Sequence, residues 1–183
     1  MAKYSRQCRK FSRIYDENIE PIFRFILLKV GSRDSTEDLT SLVFAKCWQK
    51  FKQNGQDGQE IKNPTAYLYQ IARAEIANFY RKKSKFEIIS TSSYLVENLI
   101  DPSSNVEEKA QLNSRVGKLK NCLSNLNKEN QDMVIWRYLE NMPIKTISQI
   151  TKRPKGTVRV MLHRALKELK EKMENDENRV KDL

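Results

Sequence analysis

Glycine and proline, the residues that most often interrupt helices, are scarce in this chain, five of each in 183 residues. The sequence reads as almost entirely α-helical. Long apolar runs are missing too. The longest, Phe25-Ile26-Leu27-Leu28, ends at Lys29, far short of the roughly 20 residues of a membrane span. The N-terminus, Met1-Ala2-Lys3-Tyr4-Ser5-Arg6, leads into charged sequence without the apolar core of a signal peptide, so the protein is expected in the cytoplasm. Cysteine is confined to Cys8, Cys47 and Cys122, with His163 as the one histidine. A zinc site needs about four ligands at tight spacing, so no metal is expected and the cysteines read as reduced thiols. There is no Gly-rich phosphate loop and no cluster of carboxylates at metal spacing. No catalytic residue or cofactor is expected, and an enzyme is the least favoured class.

What the chain has in excess is positive charge. Lys and Arg number 34 against 23 Asp and Glu, a net charge of +11. Residues 1–84 carry 16 basic and 9 acidic side chains, residues 85–110 carry 2 and 5, and residues 111–183 carry 16 and 9. Two basic blocks flanking an acidic connector suit a polyanion gripped at two places, because neutralising phosphates supplies most nonspecific binding energy. Solvated basic helices would show the same composition. A mean hydropathy of −0.70 is too polar for one large core, which favours two small helical domains.

The first helix is expected over about Ile19–Val30, with Ile19, Ile22, Phe23 and Ile26 on one face, Asn18 as N-cap, Pro21 in the first turn and Gly31 as the stop. Residues 11–17, with Phe11 and Ile14, would be a separate helical turn or an extension kinked at Pro21. Ser35 is the expected cap of a second helix through Leu39, Leu42, Val43 and Trp48 to about Phe51. Residues 53–59, with two glycines among amides, read as loop. Asn63-Pro64 opens a third helix with Leu68, Ala72, Ile76 and Phe79 as its buried stripe, while Tyr67, Ala74, Asn78 and Arg81 form a stripe left for a partner. Periodicity fades from about Ser84, and residues 85–106 read as a flexible linker. Helical sequence resumes near Val106 with Val116, Leu119 and Leu123 as core, followed by helices over about Lys128–Glu140, Ile144–Ile150 and Lys155–Met173.

The sharpest local signal runs from Pro143 to Arg159: a short helix, a turn and a longer helix. In the longer one Val158, Leu162, Ala165, Leu166 and Leu169 fall on one face. Val160, His163, Arg164 and Lys167 fall opposite, flanked by Lys155 and Arg159. A helix-turn-helix is built this way, its second helix packing by the apolar face and offering cations and donors to the major groove. Arginine suits that place because its planar fork pairs with both guanine acceptors. An ordinary amphipathic surface helix is the competing reading.

The run Gly156-Thr157-Val158-Arg159, followed by His163-Arg164-Ala165-Leu166-Lys167-Glu168-Leu169, resembles region four of the extracytoplasmic-function class of bacterial sigma factors. The N-terminal half, through Tyr15-Asp16-Glu17, Ile22-Phe23-Arg24-Phe25, Glu37-Asp38-Leu39 with Val43-Phe44 and Trp48, and Pro64-Thr65-Ala66-Tyr67-Leu68-Tyr69-Gln70-Ile71-Ala72-Arg73, resembles region two. The likeness covers about residues 11–83 and 107–173. It implies an all-α fold of two small helical domains joined by a flexible linker, the C-terminal one a helix-turn-helix: residues 1–84 as region two, 85–106 as linker, 107–183 as region four. It also implies binding to core RNA polymerase and promoter DNA, with an anti-sigma factor as a partner typical of the class.

By that resemblance Asp38, Leu39, Val43, Phe44, Lys46, Trp48 and Gln49 are candidates for docking on polymerase, although Leu39, Val43 and Trp48 have equally the spacing of a packed stripe. Ser41-Leu42 departs from the Gln-Glu common at that place. For the minus-ten element and promoter opening the candidates are Asn54, Gln56, Gln59 and Asn63, whose amides can read base edges, and Tyr67, which can stack a base. Arg73, Asn78, Arg81, Lys82 and Lys83 would complete that surface, the cations holding phosphates. Ala74 and Asn78 depart from the common pattern there, and the loop amides could equally be a solvated turn. For the minus-thirty-five element they are Lys155, Thr157, Arg159, Val160, His163, Arg164 and Lys167. A stand-alone helix-turn-helix regulator would explain the C-terminal half and leave the N-terminal half without a role.

Overall fold

Gly31 and Ser32 make the first corner of the chain, between helix α1, Ala2–Val30, and helix α2, Arg33–Asp57. Gly31 takes a φ of 79° and its N–H donates to the Leu27 carbonyl at 2.9 Å, a left-handed stop that a side chain would strain. Ser32 then starts α2. Its carbonyl accepts from the N–H of Thr36 at 3.0 Å and from the Thr36 hydroxyl at 2.6 Å, and its own hydroxyl lies 3.4 Å from the Ser35 N–H. The expected cap at Ser35 is therefore displaced by three residues. Ser32 follows directly on the turn and reaches the first unbonded N–H groups before Ser35 can.

The computed structural model describes residues 2–57, 61–86, 123 and 126–181, with side chains at 7–53, 61–83, 123 and 126–172. Among these residues the fold is all-α, in six helices and without a strand, and it divides into two compact units between Leu95 and Val96. The expected linker at 85–106 and the helix expected from Val106 lie outside the described residues, except that α3 runs to Phe86 and that Leu123, expected in the core of that helix, is helical and buried.

In the first unit, α1, α2 and α3, Pro64–Phe86, pack against one another. Ile22, Phe25 and Ile26 of α1, Leu39, Val43 and Cys47 of α2, and Leu68, Tyr69, Ala72 and Ile76 of α3 form the core, with the Phe25 and Tyr69 rings edge-on at 5.3 Å. Each of the Ile, Leu, Val and Phe side chains among them contributes roughly 1.5–3 kcal/mol on burial. Helix α1 is continuous through Pro21, so the segment at 11–17 is an extension of the helix and Asn18 is not a cap. The buried Asn18 side chain donates from Nδ2 to the Ile14 carbonyl at 2.7 Å. Tertiary packing explains the extension: Phe11 lies 4.8 Å from the Trp48 ring and Tyr15 4.8 Å from Phe44, so the early turns of α1 gain an apolar partner on α2.

The loop expected at 53–59 is helical as far as Asp57. Once a helix is nucleated each further residue adds one hydrogen bond, and Gly55 subtracts only about 1 kcal/mol relative to alanine. The Asn63-Pro64 start of α3 is as expected, with Asn63 Oδ1 accepting the Ala66 N–H at 3.0 Å.

In the second unit α4, Lys128–Val134, is capped by Asn127, whose side chain accepts the Asn130 N–H at 2.8 Å, and widens into a π-turn over Ile135–Leu139. Asp132, Met133, Val134, Ile135 and Trp136 are buried in succession. A run buried at every position means that the element is enclosed on all sides. Helices α5, Ile144–Thr151, and α6, Lys155–Lys181, enclose it. Leu123, Leu126, Val134 and Ala165 form one cluster with Leu169 packed against it.

Candidate nucleic-acid interface

The helix-turn-helix is assembled by its turn. Lys152 adopts the left-handed conformation, φ 55° and ψ 32°, with its N–H on the Ser148 carbonyl, and the Arg153 N–H reaches the same oxygen at 3.2 Å. The Ser148 hydroxyl returns a hydrogen bond to the Arg153 carbonyl, and Thr151 Oγ1 donates to the Ile147 carbonyl at 2.8 Å. Arg153 itself is tied to α4, its Nε and Nη2 each 2.9 Å from a carboxylate oxygen of Glu129. That bidentate pair raises the pKa of the guanidinium, first through the hydrogen bond and then through the Glu129 charge, and it commits this cation to holding the turn.

Beneath the turn Ile147 and Ile150 of α5 and Val158, Leu162 and Ala165 of α6 are buried. The opposite face of α6 is exposed throughout. Lys155, Thr157, Arg159, Val160, His163, Arg164 and Lys167 are all exposed, so the apolar and polar faces expected of this helix are separated as the spacing required. Lys167 Nζ lies 3.8 Å from Glu171 one turn on. Gly156, in the first turn, is exposed, and a Cβ built on it would meet nothing within 4 Å.

On the first unit the α2 candidates separate by burial. Asp38, Lys46 and Gln49 are exposed, whereas Leu39, Val43 and Phe44 are buried in the unit's own core. Phe44 retains 4% of its surface under the ring of Tyr15. Trp48 is half-buried between Phe11 and Phe51, with Lys52 Nζ 5.5 Å from its ring centre. Lys46 Nζ stands 2.6 Å from a carboxylate oxygen of Glu75, tying α2 to α3. Leu42, expected in the core stripe, is instead 39% exposed. Its position one residue from Val43 turns it about 100° away from that side chain, and α1 and α3 cover the other side. The departure Ser41-Leu42 noted in the sequence was the available signal.

Along α3, Tyr67, Ala74, Asn78 and Arg81 share one face. Ala74 and Arg81 are exposed, Tyr67 and Asn78 half-buried, and Arg81 donates to Asn78 Oδ1 at 3.1 Å. Burial, and then the neighbouring Cys47, raise the pKa of the Tyr67 phenol, so it is a neutral donor with an apolar face. Lys82 and Lys83 are exposed and Arg73 is half-buried on a different side of the helix. Asn54 and Gln56 stand in the last turns of α2, with side chains outside the described set; Gln59 lies outside the described residues. Asn63 has its side-chain oxygen committed to the α3 cap. Among the described residues no group of three or more His, Cys, Asp or Glu could hold a metal ion, and no helix is long and apolar enough to cross a membrane.

Two protein families match the chain, Sigma-70 region 2 over residues 14–86 and Sigma-70 region 4 over residues 117–169. The sequence is 25% identical over 167 residues to the ECF RNA polymerase sigma factor BldN of Streptomyces coelicolor, covering 91% of this chain and 61% of that protein. It is 21% identical over 167 residues to the ECF RNA polymerase sigma factor SigX of Bacillus subtilis, covering 90% and 84% respectively. The chain thus spans about three-fifths of the length of the first of these relatives. In fold it is similar to a sigma factor RpoE solved with the anti-sigma factor NepR from Bartonella quintana, with a TM-score of 0.65, 19% identity and coverage of 89% of this chain and 96% of that one. It is also similar to CnrH solved with the cytosolic domain of CnrY, with a TM-score of 0.64, 13% identity and coverage of 92% and 90%.

Proposed function

This chain belongs to the sigma-70 family, in its extracytoplasmic-function class, and on that premise we propose that it binds core RNA polymerase in the cytoplasm and directs it to promoters. It is an initiation factor with no reaction of its own. The observation that carries this reading is the pairing of the two matches in one chain, region 2 on the first compact unit and region 4 on the second. A stand-alone regulator would leave residues 14–86 without a purpose.

Within this reading residues 1–84 dock on polymerase and recognise and open the minus-ten element, 85–106 connect, and 107–183 read the minus-thirty-five element. The exposed face of α6 supports the last assignment, because it groups Arg159, His163, Arg164 and Lys167 where a helix-turn-helix presents donors to the major groove. Lys155, ahead of that face, suits a phosphate. Tyr67 supports the opening role through the stacking surface it can offer a flipped base, about 1–3 kcal/mol per base. For polymerase docking, Leu39, Val43 and Phe44 are buried, and of the candidates Asp38, Lys46, Gln49 and the half-buried Trp48 remain accessible on α2, with the exposed Leu42 added beside Asp38. An anti-sigma factor belongs to the same reading, since the RpoE relative was solved with one.

The test is transcription in vitro with purified core polymerase and a library of promoters randomised over both elements. The expected result is enrichment of templates sharing two separated motifs only when the chain is added. Equal template usage with and without the chain would remove the reading.

A further inference from the structure

Val160 is an apolar side chain in the middle of a cationic face. It is 50% exposed, next to Arg159, three residues before His163 and four before Arg164, all of them exposed. Among the described residues it takes no part in the buried core. A β-branched residue lowers helix propensity at an exposed position, and the apolar packing of α6 is already complete on the opposite side through Val158, Leu162 and Ala165. The residue one turn earlier is also open among the described residues. Gly156 has open space where a Cβ would be, and glycine in a helix costs about 1 kcal/mol relative to alanine. Side chains on a helix lean toward its N-terminus, so a side chain at 156 would share the surface over which Val160 leans. With glycine there, the valine methyls remain uncovered at the point where the helix can come closest to a partner.

Resting on the reading of α6 as the promoter-reading helix, we propose that Val160 determines specificity by packing on the 5-methyl group of a thymine in the upstream element. In that reading the partner is duplex DNA, which the surrounding cations suit, and in the major groove thymine alone among the four bases presents a methyl group. The arginines can pair with guanine acceptors. The valine supplies what they cannot, discrimination of thymine from cytosine at a neighbouring position.

The closing experiment uses the full chain with core polymerase on the promoter selected above. Each thymine of the upstream motif is replaced in turn by deoxyuridine, which removes the methyl and keeps the base pair. At one position the wild type should bind about fourfold more weakly, the effect of one methyl group leaving an apolar contact. Val160→Ser should abolish that difference, and Val160→Ile should keep it. Since residue 160 is exposed, each variant folds, and helicity by circular dichroism verifies it. Deoxyuridine tolerated at every thymine, or a penalty that Val160→Ser leaves unchanged, overturns the inference while the sigma reading stands. A motif without thymine opposite α6 overturns it equally. Failure to select any promoter removes the sigma reading itself, and this inference with it.

Discussion

Phe44, expected from the resemblance to dock on polymerase, is buried, and Leu42, two residues earlier on α2 and expected in the core stripe, is exposed. Phe44, at 4% exposure beneath Tyr15, stabilises the first unit, so Phe44→Ala should cost about 3–5 kcal/mol, read by urea denaturation. Any loss of polymerase binding should follow from that. Leu42→Ala should change stability by no more than about 0.5 kcal/mol yet weaken association with core polymerase by about 1–2 kcal/mol, measured by fluorescence anisotropy. Equal destabilisation by the two variants would place Leu42 in the core after all. Cys47 gives a second test at this scale. Burial raises its pKa from 9.0 to about 11, so the folded state holds the thiol while the unfolded chain releases the proton first. Stability from this group is complete below about pH 9 and declines between about pH 9 and 11. Wild type should therefore lose more stability than Cys47→Ala across that window, and thiol labelling of Cys47 should require unfolding. Labelling of the native protein at the rate of a free thiol would contradict the burial.

At the scale of elements, the helix starts take up side-chain groups that the proposed function would otherwise assign to DNA. Asn63 caps α3 through Oδ1, and in the proposed reading its NH₂ group faces a base. Asn63→Ala should cost about 1 kcal/mol of stability. Asn63→Asp should retain the cap and the stability while reducing permanganate reactivity of thymines in the opened promoter. An Asn63→Asp variant that opens promoters as wild type does would confine Asn63 to the cap. The position of this cap was legible because Asn-Pro before an apolar stripe is a local signal. The start of α1 was not: Asn18 has the chemistry of a cap, and only the aromatic partners of Phe11 and Tyr15 on α2 extend the helix past it. The end of α2 was missed for a related reason, since glycine and amides lower helix propensity by amounts that an established helix can absorb.

At the scale of the whole molecule each unit carries its own core, one around Phe25, Tyr69 and Leu68 and one around Trp136, Ile147 and Val158. Calorimetry should resolve two transitions. Phe25→Ala should lower one and Ile147→Ala the other, each by about 2–5 kcal/mol, and a single transition shifted by both variants would show that the two cores melt together.

What the sequence by itself determined is what repeats locally: the all-helical class, the two basic blocks, the caps at Gly31 and Asn63, and the two faces of α6, because a helix face is set by a spacing of 3.6 residues. Only the tertiary structure decided which apolar residues of α2 are core. Leu39, Leu42, Val43 and Trp48 all fit a stripe, and their burial depends on where α1 and α3 lie around the helix. It also decided that Lys46 pairs with Glu75 and that Arg153 pairs with Glu129. Those ion pairs join residues 29 and 24 positions apart, and no periodicity within one element can bring them together.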